Sequence, residues 1–206
     1  AVLTWLWTTN YYLAASAGPH GTIDRFSGWL TNGEMAVLNA TPDSYYHFAA
    51  WTGSVATADN PLNLVMDAAK WVTATFAETW TTNKPTPEWW LARYGITNCF
   101  EEAVTNDADG DGIPTGDEWV MNTDPTNGLS YLRVIHIGLE GNLGTLAWPC
   151  ATDRVYDVQY DLSGPEAGWA PVEGLTNLAP NSEQLVITNA LDANALKFYR
   201  LKARLP

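Results

Sequence analysis

A short acidic stretch at residues 107–118, Asp-Ala-Asp-Gly-Asp-Gly-Ile-Pro-Thr-Gly-Asp-Glu, constrains the fold of this chain more than any other segment. Aspartate stands at its first, third and fifth positions, glycine at the sixth and glutamate at the twelfth. A calcium ion requires about six to eight oxygen ligands. Alternate residues of such a tight loop point inward and can supply them. The alternative is a solvated acidic turn, but the spacing predicts a closed calcium-binding loop.

Each predicted ligand has a defined role in such a loop. The candidate ligands are Asp107, Asp109, Asp111, Ile113, Thr115 and Glu118. The aspartates would supply carboxylate oxygens, the isoleucine its backbone carbonyl, and the closing glutamate both of its oxygens. The threonine or a water molecule would fill the ninth position, and glycine at the sixth permits the sharp turn. The predicted cofactor is therefore one Ca²⁺ ion.

The region around the loop has an unbalanced charge. No lysine or arginine occurs between Arg93 and Arg133, whereas eight aspartates and glutamates do. Without a cation these carboxylates would repel one another, so calcium bound only to the folded state would stabilise the fold. Pro114 lacks the N–H that a paired loop would use to bond a partner loop, and the sequence contains no second such loop. We therefore expect a solitary structural site rather than a calcium sensor.

The loop and the residues after it, Asn122-Thr123-Asp124-Pro125-Thr126-Asn127, resemble the bacterial thrombospondin type-3-like calcium repeats. The resemblance covers roughly residues 86–128. It implies a rigid, calcium-bound connector between extracellular modules, and it adds Asp124 as a further candidate ligand.

Charge and composition limit the class of partner. The net charge of −13 and the pI near 4.3 argue against nucleic acid and against anionic membrane surfaces. No apolar run approaches membrane-spanning length. The chain does not start with a basic segment and an apolar core, so we expect that any signal peptide has been removed. The many threonines and asparagines, with 12 prolines, fit a β-rich secreted protein.

Two cysteines, Cys99 and Cys150, leave two alternatives open. In an oxidising compartment they could form a disulfide that ties the calcium segment to the C-terminal module. They could also be two unrelated buried thiols. The disulfide is favoured because calcium ligands also indicate an extracellular setting.

Residues 11–77 show the alternation of a half-buried antiparallel sheet. Apolar residues recur at every second position in 36–40 and 72–76, between turns rich in glycine, asparagine and proline. This segment resembles the divergent internalin B-type repeat of bacterial surface proteins. The matching residues are Tyr12, Leu13, Gly21, Gly33, Leu38, Ala40, Pro42, Tyr46, Phe48, Trp51, Gly53, Asn60, Pro61, Met66, Val72, Ala74 and Phe76. The resemblance implies a cell-surface structural or adhesive module without catalytic residues.

The rest of the chain is predicted to form a linker, two short helices and a set of strands. Residues 78–86 are rich in threonine, asparagine and proline, residues 87–95 have helix signals at both ends, and residues 115–122 form a helix after the loop. Six candidate strands follow, at 131–137, 143–148, 154–160, 169–172, 184–188 and 196–202. Their spacing predicts a small β-sandwich. It resembles the C-terminal β-sandwich module of some secreted bacterial proteins, in residues 146–148, 154–159 and 198–200.

The predicted fold class is therefore mainly β. An N-terminal strand at 1–10 precedes a small antiparallel β repeat module at 11–77. A linker and a short helix–calcium loop–helix connector occupy 78–128, and a C-terminal β-sandwich occupies 129–206.

The N-terminal strand is apolar on both faces, with odd-numbered residues on one face and even-numbered residues on the other. Its apolar residues are Val2, Leu3, Trp5, Leu6 and Trp7. Laid over residues 70–77, it has the pattern of a closing strand, as if it ended an earlier repeat whose remainder is missing. Such a strand is stable where both faces are covered. It either pairs with its own repeat sheet as an edge strand or inserts into a neighbouring copy of the chain.

Catalytic chemistry is not indicated. His20, His47 and His136 lack zinc-ligand spacing, and no nucleophile signature or phosphate-binding glycine loop occurs. A carboxylate pair for glycoside hydrolysis depends on spatial proximity, which a sequence does not show, and the clustered carboxylates are assigned to calcium. We therefore expect that the chain is not an enzyme.

Carbohydrate contacts form a separate possibility. Some of the 11 tryptophans could stack on sugar rings, although filling small β cores is the stronger interpretation. Asn39 begins a glycosylation sequon, which is weak evidence in a bacterial protein.

These features together predict a calcium-stabilised structural subunit, secreted or at the cell surface, in an extracellular filament or surface assembly. Head-to-tail strand donation does not close on itself, so the expected partners are copies of the same chain, with glycans as further candidates. The alternative is a carbohydrate-binding or spacer region of a larger secreted bacterial enzyme.

Overall fold

The computed structural model describes residues 2–141, 143–162, 168–190 and 198–206. Within these ranges the chain forms fourteen strands and three short helices, which confirms the prediction of a mainly β fold. The chain divides into two compact units. The first contains Ala1–Trp80 and Pro87–Arg93, and the second contains Thr81–Thr86 and Tyr94–Pro206. Most of the predicted connector therefore lies in the same unit as the predicted sandwich.

The first unit contains eight strands and one helix. They are β1 (Asn10–Ala17), β2 (Gly21–Ile23), β3 (Gly28–Thr31), β4 (Met35–Leu38), β5 (Ala40–Pro42), β6 (Tyr46–Gly53), β7 (Leu62–Val65), β8 (Lys70–Glu78) and α1 (Glu88–Arg93). Four of the strands form a sheet in the order β3-β1-β8-β6, and β2-β5 and β4-β7 form two-stranded sheets. The pairs are antiparallel except β1 and β8, which run parallel with Leu13 opposite Lys70.

Alternation along the strands builds the core of this unit. Inward-facing residues of the central strands are fully buried, including Leu13 on β1 and Val72 and Ala74 on β8. Trp51 on β6 and Met66 after β7 complete the same cluster. The residues between them on β1 and β8 face outward, as the period-two pattern predicts.

The second unit begins with two short helices and continues with six strands. They are α2 (Phe100–Ala103), α3 (Thr115–Met121), β9 (His136–Glu140), β10 (Leu143–Pro149), β11 (Val155–Asp161), β12 (Ala170–Pro171), β13 (Gln184–Ala190) and β14 (Phe198–Arg204). Two three-stranded antiparallel sheets have the orders β13-β10-β9 and β12-β11-β14. They pack around Trp148, Tyr156 and Val158, and the first two rings have centroids 6.2 Å apart.

One predicted strand is shifted. The sequence pattern placed a strand at 131–137, whereas β9 begins at His136. The segment before it is held to the turn after α3, where the Asp124 amide donates to Ser130 Oγ at 3.0 Å, and Leu132 packs against the sandwich core. The predicted helices near the loop are found at Glu88–Arg93 and Thr115–Met121, while α2 was not predicted.

The N-terminal segment, residues 2–7, forms no strand in the structure. Among the described residues, none pairs with it in a β-ladder. Its apolar side chains are exposed, with Trp5 at 74% and Trp7 at 90% of their surface in solvent. The segment therefore does not cover its own repeat sheet as an edge strand here.

The helices in the described part of the chain are at most seven residues long. None of them is long and apolar enough to cross a membrane.

Candidate metal centre

The acidic loop is closed at its base by backbone hydrogen bonds between the two flanking helical segments. The Thr115 amide donates to the Asn106 carbonyl at 2.9 Å, and the Gly116 amide donates to the Val104 carbonyl at 3.0 Å. A Cβ atom at residue 116 would lie 2.9 Å from that carbonyl oxygen, so only glycine permits this approach. The start of α3 is thereby fixed beside the end of α2.

Turns within the loop direct its carboxylates. Asp107 accepts hydrogen bonds from the amides of Gly110 and Gly112, both at 2.7 Å, while Asp111 accepts one from the Ile113 amide at 2.8 Å. Gly110 and Gly112 have φ angles of +81° and +93°, a left-handed backbone that glycine adopts without strain. The loop therefore folds back on itself and turns successive aspartates inward.

The structure brings the predicted carboxylates together. One ligand oxygen from each of Asp107, Asp109 and Asp111 lies within 4.8 Å of the other two. Glu118, on the first turns of α3, is fully buried and electrostatically coupled to all three. Its Oε1 accepts a hydrogen bond from Thr123 Oγ1 at 3.3 Å.

Several oxygens of this cluster are buried and have no hydrogen-bond partner among the residues that the structure describes. They are Asp109 Oδ2, Asp111 Oδ2, Thr115 Oγ1 and Glu118 Oε2. A buried oxygen without a partner costs about 1–3 kcal/mol, and more when it is charged. A cation coordinated among these atoms would satisfy them.

The pKa values show the same electrostatic stress. Burial, together with the nearby carboxylates of Asp109 and Asp111, raises the pKa of Glu118 to about 7. By contrast, the hydrogen bond from the Gly112 amide lowers the pKa of Asp107 below its usual range. A cation at the centre would favour the ionised form of Glu118 and remove the repulsion.

The donor atoms fit a hard divalent cation. They are all oxygens, from three aspartates, one glutamate and one threonine, and calcium prefers such ligands in a flexible loop. No histidine or cysteine belongs to this group, which disfavours zinc and copper.

Two candidate ligands have a different or undetermined position. Asp124 lies outside the three-aspartate group, and its Oδ1 accepts hydrogen bonds from the amide and hydroxyl of Thr126 at 3.0 and 2.7 Å. The structure thus uses this oxygen to form the turn after α3. The amide of Ile113 binds Asp111, and coordination by the Ile113 carbonyl stays a prediction.

Part of the predicted linker is bonded to the two helices that flank the acidic loop. The Glu101 carboxylate accepts hydrogen bonds from the amides of Thr82 and Asn83 at 2.8 and 3.0 Å. Lys84 forms an ion pair with Asp117 on α3 at 2.5 Å. Residues 81–86 are therefore bonded to α2 and α3, the helices that flank the acidic loop, which their threonine-rich composition did not indicate.

The two cysteines are free thiols in the structure. Cys99 is exposed, in a left-handed conformation just before α2, and Cys150 is buried. The Cys150 thiol donates to the Ser182 carbonyl at 3.2 Å, which orients it toward β13. This differs from the disulfide predicted from the sequence.

Sequence reasoning also missed Arg154, a buried arginine whose Nη2 donates to the Trp119 carbonyl at 2.7 Å. A signal was present, because Arg154 is the only lysine or arginine between Arg133 and Lys197. Isolated positive charge before a strongly alternating strand indicates a specific partner rather than a solvated surface.

The first unit has a counterpart among known domains, and its strands β1–β8 coincide almost fully with the matched region. Residues 11–79 match the family of the divergent InlB B-repeat domain. This B-repeat match covers 69 of the 206 residues and confirms the resemblance stated for this segment. No curated protein and no solved structure matches the chain. The resemblances stated for the connector and the sandwich stay predictions.

Proposed function

We propose that this chain is a non-enzymatic, calcium-stabilised structural subunit of an extracellular bacterial filament or surface assembly. The B-repeat match at residues 11–79 supports a surface-associated bacterial protein. The oxygen-lined loop supports a calcium site, and the exposed N-terminal segment supports assembly through a strand.

The observation that carries the calcium proposal is the set of buried, unpartnered oxygens at Asp109, Asp111, Thr115 and Glu118. Calcium would coordinate these atoms and neutralise the carboxylates. At a calcium concentration of about a hundred times Kd, binding to the folded state alone would add about 2.7 kcal/mol to the free energy of unfolding.

Calorimetric titration and thermal unfolding test this proposal. The wild-type chain should bind one Ca²⁺, and chelation should lower its melting temperature. The double variant D109A/E118A should bind none and should melt near the chelated wild type. The matched control is Asp59→Ala, which removes an exposed carboxylate in the first unit that accepts a hydrogen bond from the Thr57 hydroxyl. A melting temperature that chelation leaves unchanged would refute the site.

The N-terminal segment supports assembly by strand donation. Five apolar side chains are solvent-exposed between residues 2 and 7. Burying each would contribute roughly 1.5–3 kcal/mol, so their transfer into a second copy is strongly favoured. An extended donor also gains ladder hydrogen bonds along its length, while alternate side chains fill pockets of the acceptor.

Light scattering and electron microscopy of two variants test strand donation. Removing residues 1–8, or the substitution W5D, should leave a folded chain that no longer assembles, because the introduced carboxylate would be buried without a partner. Phe26→Asp is the matched control, since Phe26 is 89% exposed and lies outside the segment. Equal assembly by wild type and W5D would refute donation.

A second candidate function is carbohydrate binding, and a specific surface favours it. Tyr12 on β1, Trp29 on β3 and Trp71 on β8 face outward on the four-stranded sheet and are exposed. The rings of Tyr12 and Trp29 have centroids 5.4 Å apart. Such rings could stack on sugars in a binding or spacer region of a larger secreted enzyme. Quenching of tryptophan fluorescence by neutral oligosaccharides, lost in Trp71→Ala, would favour this function over self-assembly.

A further inference from the structure

The sandwich of the second unit holds α3 through one buried arginine. Arg154 is 2% exposed and lies directly before β11. Its Nε donates to the Val120 carbonyl at 3.0 Å and its Nη2 to the Trp119 carbonyl at 2.7 Å. The guanidinium also lies over the Trp119 ring, 4.4 Å from its centroid.

These contacts are suited to the end of a helix. The last carbonyls of a helix have no partners within it, and a cation there interacts favourably with the helix dipole. The third nitrogen of the guanidinium, Nη1, forms an ion pair with Asp153 Oδ2 at 2.8 Å and donates to the Asp153 carbonyl at 3.2 Å. Arg154 is therefore fully engaged, and its main acceptors belong to α3.

The same helix closes the acidic loop. Glu118 immediately precedes Trp119, so one short helix places a carboxylate at the metal centre and two carbonyls at Arg154. Glu118 is fully buried on the helix that follows the three-aspartate loop, and its Oε2 has no hydrogen-bond partner among the described residues. Without a cation, repulsion among these carboxylates would act on α3. Movement of α3 away from that repulsion would remove the Val120 and Trp119 acceptors and leave a buried guanidinium bonded to Asp153 alone among its present partners, which is destabilising.

Arg154 also connects α3 to the core of the sandwich. Arg154 is continuous with β11, the central strand of its sheet, and the β11 residues Tyr156 and Val158 are fully buried. We propose that Arg154 couples calcium binding at residues 107–118 to the folding of the sandwich, so that calcium controls the stability of β11 and its neighbours. This inference rests on the proposed calcium site.

Coupling of this kind is reciprocal. If calcium stabilises the Arg154 contacts, then the Arg154 contacts increase the affinity for calcium by the same factor. Arg154 is thus a positioning residue for the metal centre, although it provides no ligand. A purely structural arginine would stabilise the sandwich equally with and without calcium.

Hydrogen exchange of the wild-type chain, with calcium and with chelator, tests the coupling directly. Chelation should accelerate amide exchange in residues 155–161 by about tenfold or more, in addition to exchange in the loop. Acceleration confined to residues 100–124 would overturn the coupling while leaving the calcium site intact. A calorimetric titration that detects no calcium binding would instead refute the proposed function.

The variant Arg154→Lys keeps the charge but loses the planar fork that reaches both carbonyls. It should still bind calcium, with affinity reduced about fivefold or more, and chelation should no longer change exchange in residues 155–161. Arg133→Met is the matched control, because Arg133 is exposed and its guanidinium lies over the Tyr131 ring, 5.3 Å from its centroid. If R154K retains wild-type affinity and wild-type calcium-dependent exchange, the coupling is wrong. If R154K does not fold, the calcium dependence of hydrogen exchange in the wild-type chain is by itself the test of the coupling.

Discussion

At the scale of single residues, Glu118 has two opposing requirements. It must be ionised to coordinate a cation, yet burial and three neighbouring carboxylates raise the pKa of its side chain to about 7 in the metal-free protein. Its ordinary value is 4.5, which also describes the unfolded chain. The metal-free fold therefore binds a proton more tightly than the unfolded chain does.

The sign of the pH dependence follows from these two pKa values. For the chelated protein, the stability due to the Glu118 proton is present below pH 4.5 and is lost as the pH rises through about 7. For the calcium-loaded protein, ligation needs the ionised form, so calcium affinity should rise over the same interval. The gap between loaded and chelated melting temperatures should widen from about pH 5.5 to about pH 8, as scanning fluorimetry would measure. An equal gap at both pH values would contradict this assignment.

The candidate ligands could be predicted because their spacing is local. The loop positions of Asp107, Asp109, Asp111 and Glu118 follow from twelve consecutive residues; the structure brings the three aspartates together and buries the glutamate. The position of Arg154 could not be predicted in this way, because it lies 35 residues from the carbonyl that it binds. Such distant residues come together only when the second unit folds.

At the scale of secondary structure elements, alternation predicted strand content but not every boundary. Apolar and aromatic residues continue from residue 131 through 137, so nothing in that run marked His136 as the start of β9. The alternation also does not show which strands pair with each other. β1 and β8 pair in parallel, with Leu13 opposite Lys70, and no local sequence pattern predicts that these two residues are neighbours.

The fastening of residues 81–86 to α2 gives a prediction at this scale. Glu101→Ala should accelerate amide exchange at Thr82 and Asn83, because both amides lose their carboxylate acceptor. The two backbone hydrogen bonds lower the pKa of Glu101, so acidification through that lowered pKa should release the same amides in the wild type. Glu102→Ala is the matched control at the adjacent exposed position. Similar exchange in both variants would show that the carboxylate does not hold this segment.

At the scale of the whole molecule, the two units have separate hydrophobic cores. The first is built around Leu13, Trp51 and Met66, and the second around Trp148, Tyr156 and Val158. The candidate ligands all lie in the second unit. Calcium should therefore stabilise one unit and leave the other unaffected.

Scanning calorimetry should resolve this difference as two transitions. Met66→Ala should destabilise the first unit by about 2–5 kcal/mol through the cavity that it leaves, and should shift only the transition that chelation does not move. D109A/E118A should shift only the other transition. One transition that responds to both changes would show that the units unfold together.

The pairing of β1 with β8 also determines when, during synthesis, the first unit can finish folding. β1 is near the start of the chain, and its parallel partner β8 is synthesised more than fifty residues later, so this sheet closes only after nearly the whole B-repeat segment has emerged. Pairings between such distant residues fold slowly, because the loop between them must be closed first. A chain that stops before β8 leaves one edge of β1 without its parallel partner. During synthesis this exposed edge is a point of capture by chaperones, proteases or other nascent chains.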